Sequence, residues 1–131
     1  MPGSGVTATV SINRSEINGN TFGIVGDGTS GGTVKGTISD SVVSGNSEDG
    51  IAATSSGSPV WFLVDQTKVA GNAYGLAAGG SGVEILARNS SVFDNTTGLH
   101  TGNGGALYSY GNNSVNGNST NGAFTGTVGL Q

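Results

Sequence analysis

The stretch VKGTISDSVVSGNSEDGI, from Val34 to Ile51, contains a pattern of apolar, small and Asn positions that returns through the rest of the chain. We take Asn46 as the reference point of this pattern and find equivalents at intervals of 26, 26, 23 and 23 residues. The five asparagines are Asn20, Asn46, Asn72, Asn95 and Asn118. A near-constant interval of this length is typical of repeat architectures, in which each copy forms one structural unit.

Three further columns repeat together with the asparagines. The position three residues earlier is aliphatic, as Ile17, Val43, Val69, Val92 and Val115. The position five residues earlier is small or polar, as Ser15, Ser41, Thr67, Ser90 and Asn113. A glycine that precedes an apolar residue follows each asparagine, as Gly23, Gly50, Gly75, Gly98 and Gly122. Agreement across this many columns indicates five copies of one unit.

Each copy also contains apolar residues at a spacing of two, at the positions twelve, ten and eight before the asparagine. The third copy has Val60, Phe62 and Val64 there, and the last copy has Ala106, Tyr108 and Tyr110. A spacing of two predicts β-strands with one face turned inward, and the Gly, Asn and Ser residues between the runs predict turns. Stacking such coils at roughly 4.8 Å buries the inner faces, so the sequence predicts a parallel β-solenoid.

The asparagine column has a physical reason of its own. An Asn side chain both donates and accepts hydrogen bonds, so stacked asparagines can form a ladder that satisfies backbone groups of the turns. The glycine that follows suits a position where a side chain would be blocked. We therefore expect the five asparagines to be structural residues.

These motifs resemble the right-handed parallel β-helix repeat of the pectate lyase-like superfamily over nearly the whole chain, roughly from Val6 to Ala123. The resemblance implies an all-β, right-handed parallel β-helix of about five coils. Polysaccharide lyases, glycoside hydrolases, epimerases, tailspikes and adhesins share that fold, so fold alone does not choose an activity. Five coils is short for the superfamily, and we expect the chain to be a piece of a longer solenoid.

The repeat predicts a single domain, residues 1–131. Its coils are expected at residues 6–32, 33–59, 60–82, 83–104 and 105–118. A terminal half-coil is expected at 119–131, with Phe124, Val128 and Leu130 folding over the open end.

Composition excludes several classes of protein. The chain of 131 residues has a net charge of −4 and only four Lys and Arg residues, so a nucleic-acid partner is not expected. It has no Cys and no apolar run long enough for a membrane span. The start MPGSGV lacks the pattern of a signal peptide. Bacterial β-helices of this type are often exported, so we expect an extracellular or surface location for a piece of a longer protein, and otherwise a cytoplasmic one.

The outer face of the first strand of each coil is predicted to expose an apolar patch. If Val60, Phe62 and Val64 face inward, their neighbours face outward, and stacking then aligns Trp61, Leu63, Leu86 and Leu107. An exposed apolar patch usually marks an interface. The alternatives are self-association into a homo-oligomer, a platform on which sugars stack, and coverage by a part of the protein outside this chain.

One column of charged residues lies in the turn after the first strand. Stacking is expected to bring Asp65 near Arg88, and Asp40 near Arg14, close enough for two ion pairs. The resemblance implies a second interpretation, because the lyases use acidic calcium ligands and an Arg base, which makes these four residues the nearest catalytic candidates. Charge neutralisation in a turn explains the same residues, and we expect no metal site or cofactor. Calcium enters only under the lyase interpretation.

Other polar residues are predicted to be solvated. The adjacent pair Glu48 and Asp49 fits a solvated turn better than acid–base or calcium chemistry. The single histidine, His100, fits a surface or loop position better than a zinc ligand or a catalytic base. We therefore expect a non-catalytic β-helix module with a structural, self-associating or carbohydrate-binding role. The alternative is a fragment of a polysaccharide lyase or glycoside hydrolase that acts on an acidic polysaccharide.

Overall fold

The chain folds into a parallel β-solenoid in which each of the first four coils contributes one strand to each of three parallel sheets. The computed structural model describes residues 1–129, and the predicted cover residue Leu130 lies outside them. Every pairing between the named strands is parallel, with a strand of one coil beside its equivalent in the next coil. The described part of the chain contains no helix long and apolar enough to cross a membrane.

Sheet one holds the first strand of each coil. Its members are β1 (Thr7–Asn13), β4 (Thr33–Ser39), β7 (Val60–Asp65), β10 (Val83–Arg88), β13 (Ala106–Ser109) and β15 (Gly126–Thr127). Sheet two consists of β2 (Glu16–Asn18), β5 (Val42–Ser44), β8 (Lys68–Ala70), β11 (Ser91–Phe93) and β14 (Ser114–Val115). Sheet three consists of β3 (Ile24–Asp27), β6 (Asp49–Thr54), β9 (Tyr74–Gly79) and β12 (Thr97–Gly102).

The solenoid has about four turns, whereas the sequence predicted five. The fifth coil has β13 and β14, but at the place of its third strand residues 1–129 contain only an isolated bridge between Thr120 and Thr97. The chain then turns at Gly122, whose φ of 71° is accessible to glycine and where a side chain would meet the carbonyl of Leu99. It crosses the end of the coil and pairs as β15 with β13.

Aliphatic side chains stack like on like in the core, as the repeat predicted. The column three residues before the ladder contains Val43, Val69 and Val92, all buried, while Ile17 and Val115 at the ends are partly buried. The residue directly after the glycine that follows each ladder asparagine forms another column, which contains Ile24, Ile51, Leu76 and Leu99. Burial of these columns removes apolar area from water in every coil, which is the main force that holds the stack together.

The fifth coil corrects the predicted orientation of Leu107. Leu107 pairs with the buried Ile85 and is itself 0% exposed, so it belongs to the inner column rather than the outer patch. The interval from Ile85 to Leu107 is 22 residues, but the interval from Asn95 to Asn118 is 23, so one extra residue lies between the strand and the asparagine. Tyr108, which was predicted to face inward, pairs instead with the outward residue Leu86.

The asparagine ladder is present and is longer at one end than predicted. Each side-chain amide from Asn46 onward donates to the Oδ1 of the next asparagine, at 2.9 Å from Asn46 to Asn72, 3.0 Å from Asn72 to Asn95 and 2.9 Å from Asn95 to Asn118. Asn121 supplies a further rung, since its Oδ1 accepts from Asn118. Asn20 is exposed and its amide donates to the Asn18 carbonyl, so only its backbone N–H joins the ladder, by donating to Asn46.

The glycines after the ladder lie where the chain is too close to the next coil for a side chain. A Cβ on Gly75 would lie 2.6 Å from the Gly98 carbonyl oxygen and 2.6 Å from a methyl of Val92. A Cβ on Gly50 would lie 2.8 Å from the ladder amide of Asn72. Steric exclusion by the ladder and the adjacent coil therefore explains this glycine column.

Candidate functional site

The outer face of sheet one contains most of the predicted apolar patch. Trp61 is 39% exposed, and Leu63 and Leu86 beside it are half-buried. These three residues line a shallow cleft of about 320 Å³ with Lys35 and Tyr110, and we call these five residues the sheet-one patch. The Lys35 ammonium lies 5.0 Å from the centre of the Trp61 ring, a distance typical of a cation–π contact.

Two of the four charged candidates form an ion pair. Arg88 Nη2 lies 2.8 Å from Asp65 Oδ2, and the Asn89 amide donates to the other carboxylate oxygen at 3.1 Å. The pair forms because Asp65 and Arg88 are the last residues of β7 and β10 and are paired in register. The hydrogen bond from Arg88 keeps the pKa of Asp65 below its ordinary value, with help from Asn89 and despite partial burial.

The other two candidates, Arg14 and Asp40, lie in turns and make no ion pair within residues 1–129. Both have a positive φ, of 48° and 49°, and so do Gln66 and Asn89 at the equivalent turns. Arg14 and Asp40 directly follow strands β1 and β4, whereas Asp65 and Arg88 are the last residues of their strands. The expected second ion pair is therefore absent from the described residues.

A larger cavity lies on the outer face of sheet three, where the sequence predicted no site. It has a volume of about 510 Å³, and we call it the sheet-three groove. Its floor contains the small residues Ala52 and Ala77, which are paired in register. Its walls are formed by larger side chains, namely Phe22, Val25, Asp49, Tyr74 and His100. Small residues on the floor between bulky walls give the groove its depth.

Aromatic and titratable side chains meet at one side of the sheet-three groove. The rings of Tyr74 and His100 are 5.0 Å apart and tilted by 47°, within the range of favourable aromatic pairs. Burial raises the pKa of the Asp49 carboxyl, and the negative charge of Glu48 adds to this effect, while His100 opposes it. The sequence predicted a solvated turn for Asp49, but Asp49 belongs to β6. His100 was predicted at the surface or in a loop, and it is an exposed residue of β12 that lines the same groove.

The pKa shifts of Asp65 and Asp49 have opposite directions and predict opposite effects of pH on stability. The folded-state pKa of Asp65 is lowered, so its contribution is present above about pH 4 and is lost as the pH falls through the folded pKa. The folded-state pKa of Asp49 is raised, so ionised Asp49 costs stability, and that cost disappears as the pH falls through its folded pKa. We expect Asp49→Asn to raise the melting temperature at pH 7 and Asp65→Asn to lower it.

Thermal unfolding of both variants from pH 3 to pH 8 would measure these effects. The stability difference between Asp49→Asn and wild type should shrink as the pH falls through the raised folded pKa of Asp49. The difference for Asp65→Asn should shrink only below about pH 4, as the pH falls toward the lowered folded pKa of Asp65. An Asp49→Asn variant that is less stable than wild type at pH 7 would contradict the burial argument.

The described residues contain no group of three or more His, Cys, Asp and Glu side chains that could hold a metal ion. The Asp65–Arg88 pair ends two strands of sheet one, and it is not among the residues that line the sheet-three groove. The catalytic candidates and the groove are therefore separate features of the surface.

The fold and these two surfaces define a class, that of all-β parallel solenoids with an asparagine ladder. Comparisons with protein-family models, with curated proteins and with solved structures found no match to this chain.

Proposed function

We propose that this chain is a non-catalytic β-helix module that binds a neutral carbohydrate in the sheet-three groove. The observation that carries the proposal is the combination of an apolar groove of about 510 Å³ with the Tyr74–His100 ring pair and the Asp49 carboxyl at its wall. Cavities of several hundred Å³ with a mainly apolar lining and few polar groups are typical of small-molecule sites.

The chemistry of the lining favours a sugar ring. The apolar face of a pyranose presents C–H groups with partial positive charge, and these pack against the negative face of an aromatic ring. The alanine floor leaves room for a pyranose ring to lie along the sheet. Asp49, His100 and the Tyr74 hydroxyl supply a few donors and acceptors for sugar hydroxyls at the edge of the groove.

Charge favours a neutral ligand over an acidic one. Asp49 lies beside Glu48, and the whole chain has a net charge of −4. A uronic acid in the groove would place a third carboxylate near these two, at a cost in electrostatic energy. Neutral oligosaccharides are therefore the first ligands to test.

Filling the floor of the groove should abolish binding. We expect Ala77→Leu to weaken the affinity for a neutral oligosaccharide by at least about tenfold, since the new side chain occupies the space of the sugar, and Tyr74→Ala to weaken it similarly by removing the ring. Isothermal titration against a panel of neutral and acidic oligosaccharides would measure the affinities. Trp61→Ser is the matched control, because it removes an exposed aromatic ring from the other surface.

The proposal fails if no oligosaccharide binds at millimolar concentration. It also fails if a ligand binds and Ala77→Leu and Tyr74→Ala leave its affinity unchanged. Loss of binding in Trp61→Ser alone would move the site to the sheet-one patch.

We further propose that the chain is related to the pectate lyase-like superfamily, as the repeat pattern and the parallel solenoid support. The enzymatic alternative is a lyase or hydrolase fragment that acts on an acidic polysaccharide, and the observation in its favour is the Asp65–Arg88 pair. Assays for chain cleavage of pectate and related polymers, with and without calcium, test it. Cleavage that is lost in both Asp65→Asn and Arg88→Ala would establish the enzyme.

A further inference from the structure

Exposed apolar side chains are concentrated at one end of the solenoid. Among residues 1–129, six large apolar side chains are exposed, and all except Trp61 belong to the first 25 residues. Phe22 and Val25 line the sheet-three groove, whereas Met1, Val6 and Val10 lie outside it. Val10 belongs to an inner column, since it pairs with Gly36 and through it with the buried Phe62, yet it is 40% exposed. Ile12 and Ile17 of the same coil are only partly buried. We call the surface formed by β1, β2 and β3 the N-terminal end face.

The opposite end of the solenoid is covered by the chain itself. β15 pairs with β13, and Phe124 packs against the core across the last coil. Asn121 completes the ladder beyond Asn118. A second copy therefore cannot stack its N-terminal end face directly onto this end, because the crossing segment occupies the position of the next coil.

Within residues 1–129, β1 is an edge strand and one of its edges has unpaired backbone groups. The hydrogen bonds at its two limits, from Thr33 N–H to the Val6 carbonyl and from Arg14 N–H to the Ser39 carbonyl, involve even-numbered residues. Parallel pairing uses the backbone groups of alternate residues, so the groups of the odd-numbered residues point away from β4. These residues are Thr7, Thr9, Ser11 and Asn13. A strand edge of seven residues with such groups is a template for pairing with another chain.

We infer that two copies of this chain associate through their N-terminal end faces as a two-fold symmetric dimer, with β1 of one copy antiparallel to β1 of the other. A two-fold axis at Val10 pairs Thr9 with Ser11 of the second copy and Thr7 with Asn13, which are the residues with free backbone groups. Val10 then faces its own equivalent, and Ala8 faces Ile12. The inner columns of the two solenoids thus become one continuous core.

Charge complementarity supports this arrangement. The axis at Val10 exchanges the two corners of the coil on either side of β1, so the corner of one copy that holds Arg14 lies over the corner of the other that holds Asp27. Arg14 makes no ion pair within residues 1–129, and Asp27 ends β3 and has a lowered pKa because Thr29 donates to it and, to a lesser extent, because the N-terminal ammonium is near. Glu16 lies two residues from Arg14, so the attraction is between the Arg14 guanidinium of one copy and the Asp27 carboxylate of the other, and not between corners of opposite net charge.

The asparagine ladder meets itself in the same dimer. The third corner of the coil holds Asn20 and lies on the two-fold axis, so it faces its own equivalent. In the single chain the Asn20 amide donates to the Asn18 carbonyl and its Oδ1 accepts no hydrogen bond within the described residues. A second Asn20 opposite it supplies both a donor and an acceptor, which would join the two ladders.

Light scattering after size-exclusion chromatography tests the dimer, with analytical ultracentrifugation for its dissociation constant. We expect the wild type to show twice the chain mass of 12.8 kDa. Val10→Lys should raise the dissociation constant at least about 100-fold, because it puts two ammonium groups at the centre of the interface. Trp61→Ser with Leu86→Ser is the control, since it alters the sheet-one patch and should leave the dimer unchanged.

A charge exchange tests the orientation of the two copies. Arg14→Asp and Asp27→Lys should each weaken the dimer by about tenfold, and the double variant should recover to within about threefold of wild type. Gln66→Asp is the matched control, because it introduces the same side chain at the equivalent turn, with φ of 46°, two coils away. Circular dichroism of each variant checks that the solenoid has formed.

Three outcomes would overturn the inference. The first is a wild type that stays monomeric up to millimolar concentration, as expected if some other segment covers the end face. The second is a dimer that Val10→Lys leaves intact, or that the double change at Trp61 and Leu86 dissociates. The third is a double charge variant that is no tighter than the single variants.

Discussion

Replacing Asn72 with alanine is expected to lower the free energy of unfolding by about 3 kcal/mol. The Asn72 side chain is buried and makes four hydrogen bonds. Its Oδ1 accepts from the backbone N–H and the amide of Asn46, and its amide donates to the Val43 carbonyl and to Asn95 Oδ1. Alanine leaves the backbone N–H and the side-chain amide of Asn46 buried without an acceptor, while Asn95 Oδ1 still accepts from the backbone N–H of residue 72. An unsatisfied buried polar group costs about 1–3 kcal/mol.

The matched control for Asn72→Ala is Asn20→Ala. Asn20 occupies the same column, but it is exposed and its side chain makes a single hydrogen bond, to the Asn18 carbonyl. In the single chain water replaces that bond, so at protein concentrations at which the chain is monomeric we expect a loss of about 0.5 kcal/mol or less. Urea denaturation followed by circular dichroism would measure both values. Equal losses in the two variants would show that the ladder is not what stabilises the third coil.

The fold was predictable because the columns that define it are local and repeat. Asn46, Asn72 and Asn95 with the valines three residues before them fix which residues face inward, and the observed register of sheets one to three follows from their spacing. The same counting failed in the fifth coil. Counting back from Asn118 assigns Tyr108 to the inner column, but the extra residue in the turn near Gly111 moves Leu107 there.

A signal for the correct register of the fifth coil was present in the sequence. In each of the first four coils, the residue directly after the first strand has a positive φ. These residues are Arg14, Asp40, Gln66 and Asn89. In the fifth coil the glycine that suits this conformation is Gly111, with φ of 87°. Aligning Gly111 with Asn89 instead of aligning Asn118 with Asn95 gives the interval of 22 residues that the pairing of Ile85 with Leu107 shows.

The sheet-three groove could not be predicted in the same way. The sequence indicates that Ala52 and Ala77, on the floor of the groove, are small residues that face outward. The depth of the groove depends on how far the side chains of Phe22, Tyr74 and His100 extend from three different coils. Side-chain direction also determines which charged residues form an ion pair. Asp65 and Arg88 are strand residues paired in register and form the pair, whereas the sequence alignment predicted a pair between Arg14 and Asp40 equally well.

Replacing Phe62 with alanine is expected to lower the free energy of unfolding by about 3–5 kcal/mol, the largest effect of any single change considered for this chain. Phe62 is 2% exposed and is among the largest buried side chains in residues 1–129. Its ring lies against two glycines of the preceding coils, and a Cβ on Gly26 or Gly36 would be 2.5 Å or 2.6 Å from a ring carbon. The Phe62 ring therefore fills the space that the absence of side chains at Gly26 and Gly36 leaves in the core.

Trp61→Ala is the control for Phe62→Ala, because it removes a larger ring from the adjacent residue on the outer face. Trp61 is 39% exposed and its ring makes a cation–π contact with Lys35, so we expect a loss of about 1 kcal/mol or less. Chemical denaturation of both variants would give the two values. A larger loss from Trp61→Ala than from Phe62→Ala would contradict the assignment of inward and outward faces in β7.

Gly36→Ala separates the packing of Phe62 from its hydrophobicity. In the wild type the new methyl group would overlap the Phe62 ring, so Gly36→Ala is expected to destabilise the protein by about 1–3 kcal/mol. In the Phe62→Ala background the ring is gone, the methyl group enters the cavity, and the same change is expected to be neutral or stabilising. A double-mutant cycle by urea denaturation measures the coupling between the two positions. An additive result would mean that the Phe62 ring does not occupy the space above Gly36, and that the two glycines are required by the backbone alone.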